Sequence, residues 1–208
     1  MTREAPRIWV VDDEPDVLDA LTMLLRSGDY SVVPCRGGRE LLDRLDEEAT
    51  GCVLLDLRMP GMGGFEVQRE LARRGSRLPV VFLSGHGDIP IAVRAIRAGA
   101  LDFLEKPVHD TRLFAVVERA LDEDRRRQAA TAARSEARDL LDSLSPRERE
   151  VADLIIEGLR TADIAERLGL SPRTVEMHRA RLLRRLDART SAEAVKIIEA
   201  ARKLVEGG

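Results

Sequence analysis

Five short apolar runs, each rich in β-branched or large apolar residues, constrain the fold of this chain more than any other feature. They are IWVV (8–11), SVV (31–33), CVLL (52–55), PVVFL (79–83) and LDFL (101–104), and helical patterns separate them. Strands that are almost continuously apolar are buried on both faces, and such strands occur in parallel sheets covered by helices on each side. The sequence therefore predicts a doubly wound α/β fold with a five-stranded parallel sheet.

The helical patterns between these runs carry apolar faces that would cover the sheet. Apolar residues at helical spacing mark three such faces: Val17, Leu18, Leu21, Leu24 and Leu25; Leu41, Leu42 and Leu45; and Ala92, Ala95 and Ile96.

The chain has 208 residues, enough for two domains that each bury a core. We predict a first domain over residues 1–121, a partly helical linker over 122–139 and a second domain over 140–208. The linker is charged, rich in alanine and free of Gly and Pro, so it could extend a helix that begins near Asp110. Most of its possible seam positions are polar, which argues against a stable coiled coil.

The second domain has a helical period throughout. SPRE (145–148) is a capping box, with Ser145 as N-cap and Glu148 at the third helical position. A second helix begins at Thr161 and stops at Gly169, and Ser171 caps a third helix after a short turn. This spacing predicts an all-α helix-turn-helix domain.

The third helix is strongly basic. Residues 171–189 carry six arginines against two acids, although the net charge of the whole chain is only −3. Such a helix suits double-stranded DNA, and its plainer interpretation is a solvated basic face. With Val175, Leu182 and Leu186 packed inward, the predicted DNA contacts are Arg173, Thr174, Glu176, Met177, His178, Arg179, Ala180, Arg181, Arg184 and Arg185.

Individual contacts follow from side-chain chemistry. Glu176 can accept a hydrogen bond from cytosine N4, and Met177 and Ala180 can touch thymine methyl groups. His178 suits a phosphate contact or packing rather than metal binding, because neither Cys nor a second His stands near it in the sequence.

Polar side chains follow four of the predicted strands. Asp12 and Asp13 come after the first strand, Asp56 after the third, Ser84 after the fourth and Lys106 after the fifth. Ligands of parallel sheets bind at these carboxyl ends, so we expect the three aspartates to converge. Two carboxylates about 4 Å apart repel by roughly 4 kcal/mol at an effective dielectric constant of 20. Mg²⁺, a hard cation that prefers oxygen ligands, is the natural countercharge.

Lys106 is the only lysine among the first 195 residues, where arginine is otherwise the long basic side chain. Beside Mg²⁺, an aspartate can attack phosphorus and become an aspartyl phosphate. An ammonium group is a compact point charge that can reach one phosphoryl oxygen, whereas a guanidinium is larger and prefers a bidentate fork. Each residue also has a plainer role: the aspartates as helix caps, Ser84 as a turn residue, Lys106 as a surface charge. The presence of the aspartates, Ser84 and Lys106 together at four strand ends favours phosphoryl chemistry.

The motifs VVDDEP, LLDLRMPGMGG, SGHGD and GALDFLEKP resemble the receiver domain of bacterial two-component response regulators, in particular the FixJ-like subfamily. LSPREREV and IAERLGLSPRTVEMHRARLLRRL resemble the LuxR/FixJ-type helix-turn-helix. The resemblance implies that Asp56 accepts a phosphoryl group from a sensor histidine kinase. It also implies that Asp13, Asp56 and the Arg58 backbone carbonyl ligate Mg²⁺, with Asp12 acting through water.

The same resemblance implies a switch and includes two departures. Ser84 and Phe103 stand at the family's switch positions, and Lys106–Pro107 corresponds to a bond that is cis in the family. Gly63 replaces the usual Asp, which should loosen the loop after Asp56 without removing a ligand. Thr161-Ala162 replaces a frequent Asn-Lys, which predicts one missing phosphate contact.

We therefore predict a cytoplasmic, non-enzymatic response regulator. Phosphorylation would make it a homodimer that binds a promoter operator and works with RNA polymerase. Neither a membrane-length apolar run nor a signal sequence is evident, and Cys35 and Cys52 fit reduced thiols. Two alternatives stay open. One is an aspartate-nucleophile phosphatase of the haloacid dehalogenase type, disfavoured by Arg58 at the usual general-acid position and by the lack of a cap insertion. The other is a DNA-binding dimer independent of phosphorylation.

Overall fold

The computed structural model describes residues 6–46, 48–85 and 89–207. It divides into two compact units, Met1–Gln128 and Ala129–Gly208, each described here by itself.

The first unit contains the predicted parallel sheet. Its strands are β1 (Arg7–Val11), β2 (Ser31–Cys35), β3 (Gly51–Asp56), β4 (Val80–Ser84) and β5 (Asp102–Glu105). They are ordered β2-β1-β3-β4-β5, and every neighbouring pair is parallel. β3, with all six residues buried, occupies the centre. The doubly wound fold is confirmed.

Helices cover both faces of this sheet. They are α1 (Pro15–Ser27), α2 (Gly38–Arg44), α3 (Gly64–Arg73), α4 (Ile89–Arg97) and the first part of α5 (Asp110–Ser143). Leucines and valines of α1 and α5 form one buried cluster with the sheet, and α2, α3 and α4 contribute to the other.

One predicted core residue is exposed. Ala95 is fully buried on the side of α4 that packs against the sheet, but 48 % of Ile96 is accessible to solvent. Consecutive helical residues diverge by about 100°, so a helix with Ala95 facing the sheet turns Ile96 away from it. The prediction of Ile96 as a sheet-covering residue was wrong.

Helix α5 includes the whole of segment 122–139, which is helical along its length rather than in part. The first unit also extends to Gln128, past the predicted limit at residue 121. Asp124 accounts for the extension: it is buried, and its Oδ2 accepts a hydrogen bond of 2.8 Å from the backbone N–H of Gly51. Gly51 has φ of +119°, and a Cβ there would lie 1.8 Å from the Arg7 carbonyl oxygen, so only glycine fits.

The second unit is helical, as predicted. It contains α6 (Pro146–Ile156), α7 (Thr161–Leu168), α8 (Pro172–Arg185) and α9 (Ser191–Glu206). Ser145 and Glu148 form the reciprocal capping box that begins α6. Gly169 ends α7 in the left-handed conformation, and the Ser171 hydroxyl accepts from the Thr174 N–H to cap α8.

The buried side of α8 orients its other faces. Val175, Leu182 and Leu186 are all at least 94 % buried, as predicted, and pack in two apolar clusters with α6, α7 and α9. In the described part of the chain, every helix is too short or too polar to cross a membrane.

Candidate functional sites

The polar residues predicted at the strand ends lie along one edge of the sheet. Asp12 directly follows β1, Asp56 ends β3, Ser84 ends β4 and Lys106 directly follows β5. Asp12 is fully buried, and Asp56 and Ser84 are nearly so. The parallel strands bring these groups together because all their carboxyl ends point to the same edge.

Lys106 joins two of the carboxylates. Its Nζ lies 2.6 Å from Asp56 Oδ1 and 2.6 Å from Asp12 Oδ2, with 14 % of its side chain exposed. Glu14 stands at the rim of the pocket, with Oε1 3.9 Å from the same nitrogen. Asp56 Oδ2 accepts a hydrogen bond of 2.7 Å from the Arg58 N–H, and Asp12 Oδ1 accepts one of 3.1 Å from the Glu14 N–H. The two carboxylates are thus held by ion pairs with Lys106 and by hydrogen bonds from backbone N–H groups.

Burial and charge act in opposite directions on these groups. Burial raises the pKa of Asp56. Hydrogen bonds from Lys106 and the Arg58 N–H, together with the Lys106 charge, lower this pKa, whereas the nearby Asp12 charge raises it. The net result is a raised pKa for Asp56. For Lys106, burial lowers the pKa, but hydrogen bonding and attraction to Asp12 and Asp56 outweigh it, so its pKa is raised. Lys106 is therefore a cation at neutral pH and supplies the countercharge in this pocket.

The expected convergence of three aspartates is only partly seen. Asp13 is half-buried, and within residues 6–46, 48–85 and 89–207 no three His, Cys, Asp or Glu side chains form a metal-binding group. Lys106 supplies the countercharge between the other two aspartates, Asp12 and Asp56. The available donors, carboxylate oxygens and a backbone carbonyl at Arg58, nevertheless match the oxygen ligands that Mg²⁺ prefers.

The predicted switch residues lie on two neighbouring strands, Ser84 at the end of β4 and Phe103 in β5. Ser84 pairs in register with Glu105, and its carbonyl accepts a hydrogen bond of 2.8 Å from the Lys106 N–H. Phe103 is partly buried against the core beneath α2, α3 and α4. The Lys106–Pro107 bond is cis, as the resemblance implied. The last three residues of the SGHGD motif, 86–88, lie outside the described residues.

The Gly63 departure has a local consequence. Gly63 is the N-cap of α3, and its N–H donates to Glu66 Oε2 at 3.0 Å. A Cβ at this position would meet nothing closer than the Leu57 carbonyl oxygen at 3.6 Å, so the structure has room for a side chain. The glycine therefore leaves the helix start without a side-chain cap but does not disturb Asp56.

Helix α8 places most of its predicted DNA contacts toward solvent. Seven side chains are exposed: Arg173, Glu176, Met177, Ala180, Arg181, Arg184 and Arg185. Thr174, His178 and Arg179 are partly buried. The Thr174 hydroxyl lies 2.8 Å from that of Ser171, so it takes part in the cap.

Two of the predicted arginine contacts are already bound to other helices of the second unit. Arg185 donates to the Ser143 carbonyl oxygen, and its Nε lies 3.6 Å from Glu148 Oε2. Arg179 donates to Ser191 Oγ at 2.7 Å and to Thr161 Oγ1 at 3.3 Å. Sequence periodicity missed these partners because they come from other helices.

Glu148 is the buried charge beneath this basic surface. Burial opposes its ionisation, but hydrogen bonds with Ser145 and the charges of Arg185 and His178 outweigh burial and lower its pKa. Ser145 and Glu148 line a groove of about 540 Å³ together with Arg181, Arg184 and Arg185. The groove has the positive charge that a phosphate backbone requires.

Comparison with known proteins identifies both halves of the chain. Residues 8–118 match the response regulator receiver domain, and residues 142–198 match the luxR family of bacterial regulatory proteins. The chain belongs to the response regulator family and combines a receiver domain with a LuxR-type DNA-binding domain.

Its relatives narrow this class to FixJ-like regulators. The chain is 40 % identical over 195 residues to transcriptional regulatory protein FixJ of Bradyrhizobium diazoefficiens, covering 91 % of this chain and 93 % of FixJ. It is 35 % identical over 206 residues to response regulator protein TodT of Pseudomonas putida, covering 99 % and 91 %. The solved structure of response regulator StyR is similar at 37 % identity with a TM-score of 0.88, covering 94 % of this chain and 99 % of StyR.

Proposed function

We propose that this protein is a transcriptional regulator switched by phosphorylation of Asp56. A sensor histidine kinase donates the phosphoryl group, and phosphorylation promotes homodimerisation and binding to a promoter operator in the cytoplasm. The observation that carries the proposal is Lys106, whose Nζ lies 2.6 Å from both Asp12 and Asp56 at the buried strand ends.

The chemistry follows from the groups in this pocket. A carboxylate oxygen of Asp56 attacks phosphorus, an O–P bond forms, and the bond from phosphorus to the donor's leaving group breaks. Lys106 then balances charge on the phosphoryl group, as it now balances the carboxylate. Asp13, Asp56 and the Arg58 carbonyl would hold Mg²⁺, with Asp12 acting through water, and the bound metal would supply positive charge for the phosphoryl oxygens.

This pocket suits a phosphoacceptor better than a phosphatase. A dehalogenase-type phosphatase needs a general acid two residues after its nucleophile, and Arg58 holds that position. Its backbone N–H donates to Asp56, so the residue already orients the acceptor. Intact Asp12 and Lys106 also disfavour a receiver that merely dimerises, since neither charge is needed for that role.

Helix α4 supports the dimerisation step. Ile89, Val93 and Ile96 are 78 %, 44 % and 48 % exposed. Their spacing of four and three residues places them along one helical face, where a second copy could cover them. We propose that Ser84 and Phe103 transmit the phosphorylated state to this part of the receiver.

Helix α8 supports the DNA-binding step. Its exposed Arg173, Arg181 and Arg184 suit phosphates, while Glu176 and Met177 suit base edges. Two such domains in a homodimer would read two half-sites, and the bound dimer would act on RNA polymerase. Arg185 is paired with Glu148, and His178 is partly buried and lowers the pKa of Glu148, so both serve the domain's own structure.

Incubation with acetyl phosphate and Mg²⁺, followed by intact mass and peptide mapping, tests the acceptor. Wild type should gain the mass of one phosphoryl group at Asp56, and Asp56→Asn should gain none. Asp43→Asn, which changes an exposed carboxylate of α2, serves as the matched control and should label normally. Normal labelling of Asp56→Asn would refute the assignment.

A further inference from the structure

Four polar side chains join the starts of α7 and α9 to the middle of α8. Thr161 is the first residue of α7, Ser191 is the first of α9, and Glu176 and Arg179 belong to α8. The Thr161 hydroxyl donates to Glu176 Oε1 at 2.6 Å and accepts from Arg179 Nη1 at 3.3 Å. Arg179 Nε donates to Ser191 Oγ at 2.7 Å. We call these four residues the Arg179 network.

The exposure of the two charged groups differs within this network. The Arg179 side chain is 34 % exposed, whereas that of Glu176 is 57 % exposed, and Arg179 Nη1 lies 3.5 Å from Glu176 Oε1. Arg179 therefore lies behind the outward-facing carboxylate, with two of its nitrogens committed to neighbouring helices. A side chain bound in this way is poorly placed to hold a phosphate as well.

Both fixed contacts of Glu176 are made through one oxygen. Thr161 and Arg179 approach Oε1, which leaves Oε2 as the atom able to accept from a base amino group. An unsupported glutamate would sample several rotamers and would be repelled by the negative potential of DNA. The network restrains the rotamer and places a positive charge beside the carboxylate.

We propose that Arg179 does not contact DNA but sets base preference by positioning Glu176, with Thr161 and Ser191 as its supports. The inference rests on the proposed reading of DNA by α8. It assigns Thr161 a positioning role at the place where the family resemblance predicted a missing phosphate contact. The planar guanidinium bridges hydroxyls from two helices, which the single nitrogen of a lysine cannot do in the same geometry.

The test begins with selection of a preferred duplex from a random pool by the full-length wild-type protein treated with acetyl phosphate. Affinities are then measured for duplexes that carry every single-base change in that sequence. Arg179→Ala should reduce discrimination at the position read by Glu176 by about fivefold or more, the scale of one base contact. Thr161→Val should cause a smaller loss at that same position, and Arg179→Lys should not restore it.

Two comparisons separate positioning from other roles. In a Glu176→Ala background, Arg179→Ala should produce no additional loss at that position, because the positioned group is gone. Arg181→Ala, an exposed cation on the same helix, should weaken all duplexes about equally and lower the salt slope by about 1. Helical circular dichroism of each variant checks the fold, and Thr161→Val supplies a milder change if Arg179→Ala unfolds the domain.

The outcomes distinguish this inference from the proposed function. If Arg179→Ala weakens every duplex equally and lowers the salt slope, Arg179 holds a phosphate and the inference is wrong. It is also wrong if Arg179→Ala and Thr161→Val both retain the wild-type base preference. If wild type enriches no sequence at all, sequence-specific binding by α8 is itself contradicted.

Discussion

Replacing Lys106 by methionine should show how strongly the strand-end pocket depends on one charge. Methionine keeps the length and apolar stem of the side chain but removes the ammonium group. Asp12 and Asp56, both within 2.6 Å of Nζ and nearly buried, would then face each other without a countercharge.

The expected loss is large. Removing one partner of a buried ion pair costs about 3–5 kcal/mol, because the remaining charge stays uncompensated. Since 14 % of the Lys106 side chain reaches solvent, we expect the lower end, about 3 kcal/mol in the free energy of unfolding. Mg²⁺ should narrow the difference from wild type, since a bound cation replaces the missing charge and stabilises the folded state.

Urea unfolding followed by tryptophan fluorescence is a suitable assay. Trp9 is the only tryptophan in the sequence and is 2 % exposed in β1, so the signal reports on the receiver unit. Arg69→Met removes a cation from the same unit whose side chain is 77 % exposed, and should change stability by less than about 0.5 kcal/mol. If Lys106→Met is no less stable than Arg69→Met, the pocket does not depend on the Lys106 charge.

Two further substitutions test the strand-end pocket and the cap of α6. Lys106→Arg keeps the charge, but the forked guanidinium should misplace its hydrogen-bond donors or pair with Asp56. The folded variant should therefore dimerise poorly after acetyl phosphate treatment, and sedimentation equal to that of wild type would contradict this. Glu148→Ala removes the capping partner of Ser145 and the carboxylate paired with Arg185, and should destabilise the second unit by about 1–3 kcal/mol in thermal unfolding followed by circular dichroism. The pKa of Glu148 is lowered on folding. Its charge therefore stabilises the fold fully above the pKa that Glu148 has in the unfolded chain, and this stabilisation is lost as pH falls through its pKa in the folded protein. A stability difference between Glu148→Ala and wild type that is unchanged at low pH would refute this role.

The strands and the pocket were predictable because their signals are local. A run such as CVLL identifies a buried strand, and the next polar residue, Asp56, must then lie at the carboxyl end of the sheet. The starts of α6 and α8 were equally accessible, since Ser145 and Ser171 cap helices through residues three positions away.

The remaining features depend on partners distant in sequence. Asp124 holds the Gly51 N–H from 73 residues away, so local sequence patterns could not show that the first compact unit includes Gln128. Arg179 looked like any exposed arginine of a basic helix, because periodicity does not show that Thr161 and Ser191 approach it from other helices. Helical propensity also could not decide the order of segment 122–139, which has neither Gly nor Pro but little apolar surface.

If phosphorylation of Asp56 controls DNA binding, one titration shows this control most directly. The affinity for the selected duplex is measured by fluorescence anisotropy, with and without acetyl phosphate and Mg²⁺, for wild type and Asp56→Asn. Phosphorylation should strengthen binding by wild type about 5- to 150-fold, the usual range of coupling between two sites, and leave Asp56→Asn unchanged. Equal affinities for phosphorylated and unphosphorylated wild type, with labelling at Asp56 verified by mass, would contradict this control.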